Sequence, residues 1–313
     1  MTIEVDELVG SLWPGRPVRL ERLTGGMTNA NFLADFGDEQ VVVRIPGKHT
    51  ALLGINRLHE AAANKLAASI GVAPDVLEES ASPDYLVTRF LTGRPVPPIE
   101  LATEPMLGQV ANTLRRVHEA GSVASVFNPF AVVENYHEIA VSKGIEEPFD
   151  FPRALWIMNQ IGMARTFRPT AFCHNDLLNE NFLYDGQLRI LDWEYAGMGD
   201  PLFDLANLSI NHELGAQSDE RLLAHYFGYC DAEILALLAV MKLVSELREA
   251  MWGVVQLAVS TLDIDFAAYA QGRAERFMSL HRAMDFEDSL SRVERMSRRL
   301  DGAGSAGSSR LTE

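Results

Sequence analysis

Three residues with side-chain oxygen atoms lie close together in the second half of the sequence. Asp176 and Asn181 belong to HNDLLNEN, and Asp192 follows eleven residues after Asn181, within LDWEY. Carboxylate and amide oxygens are the ligands that Mg²⁺ prefers, and a carboxylate can also accept a proton from a reacting hydroxyl. The pattern is compatible with a metal site beside a proton acceptor. Asp and Asn are also common in turns, so the spacing alone leaves a structural alternative open.

A predicted hairpin would bring two of these residues together. An Asp-Gly pair at 185–186 separates two apolar runs, NFLY and QLRILDW, and such a pair is typical of a two-residue hairpin turn. In that register Asn181 pairs with Ile190, and Asp192 lies on the same face because side chains alternate along a strand. The diagonal Cα atoms would be about 7–8 Å apart, so the two side chains could share a cation. Asp176 would lie in the loop just before the hairpin.

Strand and helix patterns divide the chain into two parts. Residues 18–46 have the pattern of a strand, a glycine turn and a hairpin, residues 55–70 are alanine-rich and helical with a stop at Gly71, and residues 85–91 form a further strand. After the break GRPVPP, apolar residues recur at helical spacing in four segments: 104–120, 152–168, 217–229 and 231–259. The fold class predicted from this layout is α+β.

The predicted boundaries follow these changes in pattern. We expect a small N-terminal lobe with an antiparallel sheet at residues 1–92 and a larger, mainly helical C-terminal lobe at residues 93–300. The last segment, DGAGSAGSSRLTE at residues 301–313, is rich in Gly and Ser and is predicted to be disordered.

Composition excludes several classes of partner. The chain has 27 Lys and Arg against 43 Asp and Glu, a net charge of −16 over 313 residues, which disfavours nucleic acid and anionic membranes and favours a small cation. Its longest apolar stretch, ILALLAVM, is far shorter than the roughly 20 residues of a membrane span and predicts a buried helix. The start of the chain has no secretory pattern, and its 2 cysteines form no metal or disulfide motif, so we expect a cytoplasmic protein.

Longer motifs resemble a known family. HNDLLNEN followed by ILDWEYAGMGDPLFDLAN is similar to the aminoglycoside phosphotransferase and choline/ethanolamine kinase superfamily, and WEY after Asp192 is more like the choline/ethanolamine kinases. GGMTNANF, VVVRIPG, LHEAAANKLAASIGVAP, YLVTRFLTG and REAMWGVVQ fit the same family in the same order, so the resemblance covers residues 20–280. It implies a protein-kinase-like bilobal fold with ATP in the cleft between the lobes.

The resemblance also implies roles for the residues of the HNDLLNEN region. Asp176 corresponds to the catalytic Asp that orients the substrate hydroxyl and accepts its proton. Asn181 and Asp192 correspond to the ligands of Mg²⁺. His174 and Asp204 correspond to residues that support the loop rather than take part in the chemistry.

In the N-terminal lobe the resemblance implies a nucleotide site. A glycine turn near the phosphates would consist of Gly25, Gly26, Thr28 and Asn29. Arg44 would hold phosphate oxygens, and Glu60 would fix Arg44. The hinge near adenine would consist of Thr88, Arg89 and Phe90. GGMTN is also compatible with an ordinary hairpin turn, and Glu60 with a solvated helix position.

The substrate pocket is predicted from aromatic residues, because a quaternary ammonium donates no hydrogen bond and is held by aromatic faces and carboxylates. Three residues match aromatic residues of the choline-kinase pocket: Tyr195, Trp252 and Tyr269. Trp252 and Tyr269 lie on apolar helices and could equally belong to the core. The nearby carboxylates are Glu194, Glu246 and Glu249. The chain departs from the family pattern at Val255, Phe266 and Asn211.

The function that this resemblance implies is a kinase that uses ATP and Mg²⁺ to phosphorylate the hydroxyl of choline, ethanolamine or a related amino alcohol. An aminoglycoside kinase of the same fold and an inactive kinase-like binding protein are the alternatives. An aminoglycoside kinase would need a substrate pocket lined with many acids. An inactive kinase-like protein usually lacks the catalytic Asp or a metal ligand. The sequence leaves the oligomeric state open.

Overall fold

The computed structural model describes residues 5–23, 28–48, 50–79 and 85–308, with side chains up to residue 297. Gly25 and Gly26 lie outside the described residues. Helix α1, Val5–Leu12, opens the described part of the chain. It packs through Leu8 and Val9 under the sheet that follows.

An antiparallel sheet forms the first part of the structure, as the sequence predicts. The strands are adjacent in the order β1-β2-β3-β5-β4, with bounds β1 Arg19–Arg22, β2 Asn29–Asp35, β3 Gln40–Pro46, β4 Val76–Glu79 and β5 Leu86–Arg89. Because side chains alternate along β3, Val41 and Val43 enter the small core with α1, whereas Val42 and Arg44 line a cavity on the opposite face. The strand period therefore directs Arg44 toward that cavity.

Helix α2, Arg57–Ser69, lies between β3 and β4 and carries Glu60 in its first turn. The side chain of Asn56 caps the helix by accepting hydrogen bonds from two backbone N–H groups of that turn, at 3.0 and 3.2 Å. Gly71 follows the helix with φ 70°, a left-handed conformation that glycine adopts at little cost. The predicted helix at 55–70 and its stop at Gly71 are confirmed.

Helices make up most of the remaining chain: α3 Pro98–Leu101, α4 Glu104–His118, α5 Pro129–Lys143, α6 Phe151–Ala164, α7 Pro201–Asn211, α8 Ala216–Phe227, α9 Ala232–Val259, α10 Phe266–Ala283 and α11 Phe286–Ser308. Helices α4, α6, α8 and α9 lie where apolar spacing predicts them. Helices α5, α7 and α11 were not predicted from the sequence, and α10 was predicted only as the apolar helix that carries Tyr269. In α7 the reason is burial on nearly every side, which leaves no polar stripe to mark a helical period.

Helix α9 organises the C-terminal part. It packs against α5, α7, α10 and α11, and its predicted burial at ILALLAVM is confirmed. Arg248, Glu249 and Trp252 lie in its second half. Among the described residues, no helix is long and apolar enough to cross a membrane.

The hairpin after HNDLLNEN is present, but its predicted register is wrong. In the observed pairing of β8, Phe182–Tyr184, with β9, Leu188–Ile190, Phe182 is opposite Ile190. The loop contains three residues, because Gly186 adopts φ 102° and Gln187 is not paired. Three-residue loops with a left-handed residue are a common hairpin type. Asn181 therefore precedes the hairpin in a short 3-10 turn at 179–181, and strand alternation does not relate it to Asp192.

Two further short pairings complete the C-terminal part. Strand β6, Arg94–Pro95, pairs with β8. The segment 93–98, which the sequence predicts to interrupt regular structure, therefore contains a short strand that extends the hairpin. Strands β7, Ala171–Cys173, and β10, Gly197–Gly199, pair with each other on either side of the hairpin. The lobe boundary at residues 92–93 stays a prediction. Disorder at residues 301–313 also stays a prediction. Helical backbone continues to Ser308, and residues 309–313 lie outside the described part of the chain.

Trp193, between Asp192 and Glu194, anchors this region in the core. Its side chain is fully buried and stacks on Phe172 with 5.5 Å between ring centroids and 15° between ring planes. Its Nε1 donates a hydrogen bond to the backbone oxygen of Ile190 at 3.0 Å. The indole therefore fixes the segment that carries both neighbouring acids.

Trp193→Ala is expected to lower the free energy of unfolding by about 3–5 kcal/mol, because it leaves a large cavity in the core. Trp156→Ala is a matched control, since Trp156 is 55% exposed. The control should change stability by no more than about 0.5 kcal/mol. Urea denaturation of both variants measures the difference, and equal losses would contradict a core role for Trp193.

Candidate active site

One large cavity lies between the N-terminal sheet and the C-terminal helices, with a volume of about 460 Å³. Its lining includes most of the residues predicted from the sequence: Thr28, Arg44, Thr88, Arg89, Phe90, Asp176, Asn181, Asp192, Glu194, Tyr195, Trp252 and Tyr269. The predicted residues Asn29, Glu60, His174 and Asp204 are buried behind this lining. The fold therefore brings together groups that are far apart in the sequence, from Thr28 to Tyr269.

Asp204 on α7 fixes the loop that precedes Asp176. Its Oδ2 accepts a hydrogen bond from the backbone N–H of His174 at 2.8 Å, and its Oδ1 accepts one from Asn175 at 2.6 Å. Asn175 has φ 67°, a left-handed conformation that Asn tolerates better than most residues. His118 on α4 contacts Oδ2 of Asp204 at 3.0 Å from the other side. One buried carboxylate thus holds two consecutive N–H groups of the loop.

His174 joins the Asp176 loop to the segment before Asp192. Its ring is fully buried; Nδ1 accepts the backbone N–H of Asp176 at 3.2 Å, and Nε2 lies 2.9 Å from the backbone oxygen of Leu191. Burial lowers the pKa of His174, which favours the neutral ring that this donor and acceptor pattern requires. The ring has the supporting contacts that the resemblance implies.

Asp176 is a buried carboxylate with a cationic partner. Its Oδ1 accepts a hydrogen bond from Nη1 of Arg248 at 3.0 Å. Burial raises the pKa of Asp176 to about 8, an effect that Arg248 opposes and the nearby carboxylates of Glu249, Glu194 and Asp192 reinforce. A carboxylate with a raised pKa accepts protons more readily than an ordinary surface Asp.

Asn181 and Asp192 present oxygen atoms to the cavity. The Nδ2 group of Asn181 donates to the backbone oxygen of Asp176 at 3.0 Å, which leaves its Oδ1 as the atom for a cation. Asp192 has φ 61°, and its Oδ1 accepts a hydrogen bond from Arg44 at 2.9 Å. An amide oxygen and a carboxylate beside the cavity fit a Mg²⁺ ion, which binds hard oxygen ligands.

Arg44 also contacts Glu60, the partner that the sequence analysis expects. A second arginine, Arg57, extends the pair, because its Nη1 lies 2.7 Å from Glu60 and 3.0 Å from Glu194. Desolvation on burial lowers the pKa of Arg57, although Glu194 favours its charged form. Two arginines and three carboxylates, including Asp192, therefore form one network beside the cavity, next to the N-terminal sheet.

Glu194 ties the C-terminal segment to the start of β2. It accepts hydrogen bonds from Oγ1 of Thr28 at 2.7 Å and from Nδ2 of Asn29 at 2.9 Å, in addition to Arg57. Burial and the nearby Asp192 raise the pKa of Glu194, and Arg57 opposes them. Its oxygens are thus engaged with the start of β2 and with Arg57, and its role as a charge partner of the substrate stays a prediction.

The backbone of the predicted hinge is also engaged. Arg89 donates its N–H to the backbone oxygen of Asp75 at 2.9 Å, and Phe90 donates to that of Gln40 at 3.1 Å. These two N–H groups are therefore not free to bind an adenine. Leu91, the next residue, also lines the cavity.

A model of the phosphotransferase enzyme family matches residues 19–238. The chain belongs to the phosphotransferase enzyme family. Protein LicA from Haemophilus influenzae is 33% identical over 210 residues, which cover 64% of this chain and 61% of LicA. Ethanolamine kinase 2 from Homo sapiens is 25% identical over 304 residues, which cover 86% of this chain and 77% of that protein.

A solved structure of a phosphotransferase relative has the same fold. The choline/ethanolamine kinase family protein from Mesorhizobium loti superposes with a TM-score of 0.78 at 33% identity, covering 93% of this chain and 99% of that one. The kinase-like bilobal fold and the relationship to choline/ethanolamine kinases predicted from the sequence are confirmed.

Three aromatic rings meet at the far end of the cavity of this phosphotransferase. The Nε1 group of Trp252 donates to Oη of Tyr195 at 3.1 Å, and the rings of Trp252 and Tyr269 pack edge to face at 5.7 Å. The hydroxyl of Tyr269 donates to Oε2 of Glu249 at 3.0 Å. Burial would raise the pKa of Glu249, but the guanidinium of Arg248 and other cations outweigh it and lower that pKa overall.

The residues at which the sequence departs from the family pattern fall in two environments. Val255 is fully buried, and Phe266 packs on Trp252 with ring centroids 5.9 Å apart, so both belong to the core rather than to the cavity wall. Asn211 does line the cavity, where its Oδ1 accepts a hydrogen bond from Arg273 at 3.0 Å. Of the three departures from the family pattern, only the one at Asn211 therefore changes a side chain that lines the cavity.

The sequence analysis missed the arginines that neutralise this phosphotransferase site: Arg57, Arg248 and Arg273. A signal was present for Arg248, because SELRE interrupts an otherwise apolar helix, and charged residues in such a helix are usually paired. Another predicted acid, Glu246, is paired with Arg273 at 3.3 Å and is not part of the described lining. Glu249, by contrast, lines the cavity.

Asp204→Asn is expected to lower the free energy of unfolding by about 1–3 kcal/mol, because the amide has one acceptor oxygen for two loop N–H groups. The displaced loop should also reduce kcat more than it changes KM. Urea denaturation and steady-state phosphoryl transfer measure the two effects.

Asp219→Asn is the matched control. Asp219 is a buried carboxylate that accepts from Ser209 at 2.5 Å and from Lys242 at 2.8 Å, and it does not line the cavity. It should lose stability while retaining kcat. A normal kcat in Asp204→Asn would show that α7 does not position the loop.

Proposed function

We propose that this chain is an ATP-dependent kinase that phosphorylates the hydroxyl of choline or ethanolamine. The observation that carries the proposal is the shared cavity, which Asp176 lines together with the oxygen-bearing side chains of Asn181 and Asp192 and the aromatic rings of Tyr195 and Trp252. A hydroxyl acceptor bound at the aromatic end would reach the carboxylate, and a nucleotide bound under the sheet would reach the oxygen ligands. The names of the human ethanolamine kinase and of the Mesorhizobium loti choline/ethanolamine kinase family protein support the same class of substrate.

In this proposal Asp176 orients the substrate hydroxyl and takes its proton as the new O–P bond forms. Arg44, fixed by Glu60, holds phosphate oxygens. Asn181 and Asp192 are the residues that would hold Mg²⁺, which would supply neutralisation of the phosphate charge during transfer. The protein thus contributes mainly positioning and charge compensation.

The nucleotide contacts need one adjustment to the sequence expectation. Because the N–H groups of Arg89 and Phe90 already bond other strands, adenine would use the carbonyl groups of this segment or the backbone of Leu91. The two unpaired cysteines support a reducing cytoplasm as the proposed setting.

The charge balance of the cavity favours a small substrate over an aminoglycoside. Its carboxylates are largely paired: Asp176 and Glu249 share Arg248, while Asp192 and Glu194 contact Arg44 and Arg57 respectively. A substrate with several ammonium groups would need several unpaired carboxylates. One cationic group is the better match to this cavity.

Measurement of ADP release with choline, ethanolamine and a panel of aminoglycosides tests the proposal. We expect turnover with the two amino alcohols and little with the aminoglycosides. If no cationic alcohol supports ADP release above the rate without acceptor, the proposed function is wrong.

Asp176→Ala is expected to reduce turnover of an amino alcohol by about two to four orders of magnitude, the usual contribution of a general base. Asp185→Ala is the control, since Asp185 lies in the nearby hairpin loop and pairs with Arg189 at 3.0 Å. Steady-state kinetics, with thermal melts to verify folding, give the comparison. Turnover close to wild type in Asp176→Ala would refute its role as the base.

A further inference from the structure

Arg248 occupies an unusual place for an arginine. It lies within the apolar helix α9 and is 1% exposed. Its Nη1 lies 3.0 Å from Oδ1 of Asp176 and 2.5 Å from Oε1 of Glu249. Its guanidinium carbon lies 4.4 Å from the centre of the Tyr195 ring and 5.7 Å from that of Phe127. A cation of the chain itself is therefore surrounded by two carboxylates and two aromatic rings.

The Tyr195 ring is a main contact of this guanidinium. Nε and Nη2 of Arg248 are buried and have no hydrogen-bond acceptor within the described residues. Stacking over an aromatic face compensates part of the cost of burying such groups. Tyr195 itself is only 6% exposed, so its ring offers little open surface to another cation.

The second tyrosine at this end has a similar neighbour. The guanidinium carbon of Arg273 lies 5.3 Å from the centre of the Tyr269 ring. Trp252 is 6% exposed and packs edge to face with Tyr269 and Phe266. The rings that would have to surround a bulky cation are thus already covered, by arginines or by one another.

These surroundings affect two kinds of substrate cation differently. A trimethylammonium group has no N–H and depends on aromatic faces for its binding energy. A primary ammonium is smaller and has three N–H donors, which can use carboxylate and phenol oxygens even where the ring faces are covered. Glu249, Asp176 and the hydroxyl of Tyr195 supply such oxygens beside the cavity.

We propose that Arg248 is a specificity-determining residue that covers the aromatic face of Tyr195 and thereby selects primary-ammonium alcohols over trimethylammonium alcohols. The inference rests on the proposed amino-alcohol kinase activity. It concerns the choice between substrates and not only the support of Asp176. A purely supporting arginine would affect ethanolamine and choline alike.

The wild-type enzyme provides the first test. We expect kcat/KM to fall along the series ethanolamine, N-methylethanolamine, N,N-dimethylethanolamine and choline, by about tenfold or more from first to last, the worth of one desolvated cation–π contact. Equal or greater kcat/KM for choline would overturn the proposal while leaving the kinase activity intact. Absence of turnover with every member would instead count against the proposed function itself.

Variants of Arg248 provide the second test. Arg248→Met keeps a long apolar side chain but uncovers the Tyr195 ring, so the ratio of kcat/KM for ethanolamine to that for choline should fall by about tenfold. Arg248→Lys keeps a cation over the ring and should leave the ratio within about threefold of wild type. Because the readout is a ratio, the general loss of rate from weaker support of Asp176 cancels.

Arg57→Met is the matched control. Arg57 is also buried between carboxylates, but it contacts Glu60 and Glu194 rather than Asp176 and the Tyr195 ring. Its loss should lower the rates with both substrates and leave their ratio unchanged. An unchanged ratio in Arg248→Met, or an equal change in Arg57→Met, would refute selection by Arg248.

If Arg248→Met is too slow to assay, calorimetric binding of ethanolamine and choline replaces the kinetic ratio. We expect the affinity for choline relative to ethanolamine to rise by about tenfold in the variant. Thermal melts identify a variant that fails to fold, in which case Arg248→Lys and Arg248→Gln are compared by the same binding ratio. No change of that ratio in a folded, uncharged variant would overturn the proposal.

Discussion

Buried carboxylates are the constraint on which this site depends. A buried charge is tolerated when a partner of opposite charge lies beside it. Removal of one partner from a buried ion pair destabilises the fold far more than replacement of the whole pair by apolar residues. Glu60, Glu194 and Glu249 are each no more than 7% exposed, and each contacts an arginine. The arginines come from β3, α2 and α9, so the pairing requirement also determines how the sheet and the helices meet around the cavity.

The same requirement gives the two sides of the cavity different characters. On the proposed nucleotide side Arg44 and Arg57 join three acids into a network that reaches the segment around Asp192. On the proposed acceptor side Arg248 lies between Asp176 and Glu249, where it compensates the proposed base and covers a ring at the same time. Under the two proposals, one side chain serves both charge compensation and substrate selection.

Local motifs were predictable from the sequence, whereas long-range pairs were not. HNDLLNEN and LDWEY indicate the loop, the hairpin and the oxygen ligands, and the contact of Arg44 with Glu60 is implied by the family resemblance. The register of the hairpin was wrong by one residue because loop length, not the apolar pattern, determines it. Asn181 and Asp192 still line one cavity, since the turns that flank the strands bring them there. Arg248 and Asp176 are 72 residues apart, and no local pattern connects them.

The segment Asp192-Trp193-Glu194 connects three regions through consecutive side chains. Asp192 accepts a hydrogen bond from Arg44 of β3. Trp193 is buried in the core of the C-terminal part. Glu194 accepts hydrogen bonds from the start of β2. Separation of the sheet from the helices would therefore break contacts of a proposed metal ligand and of its neighbour together. Opening of the cleft and binding of a ligand at its proposed nucleotide side are therefore linked equilibria. A ligand that binds the closed arrangement more tightly shifts the population toward the closed arrangement.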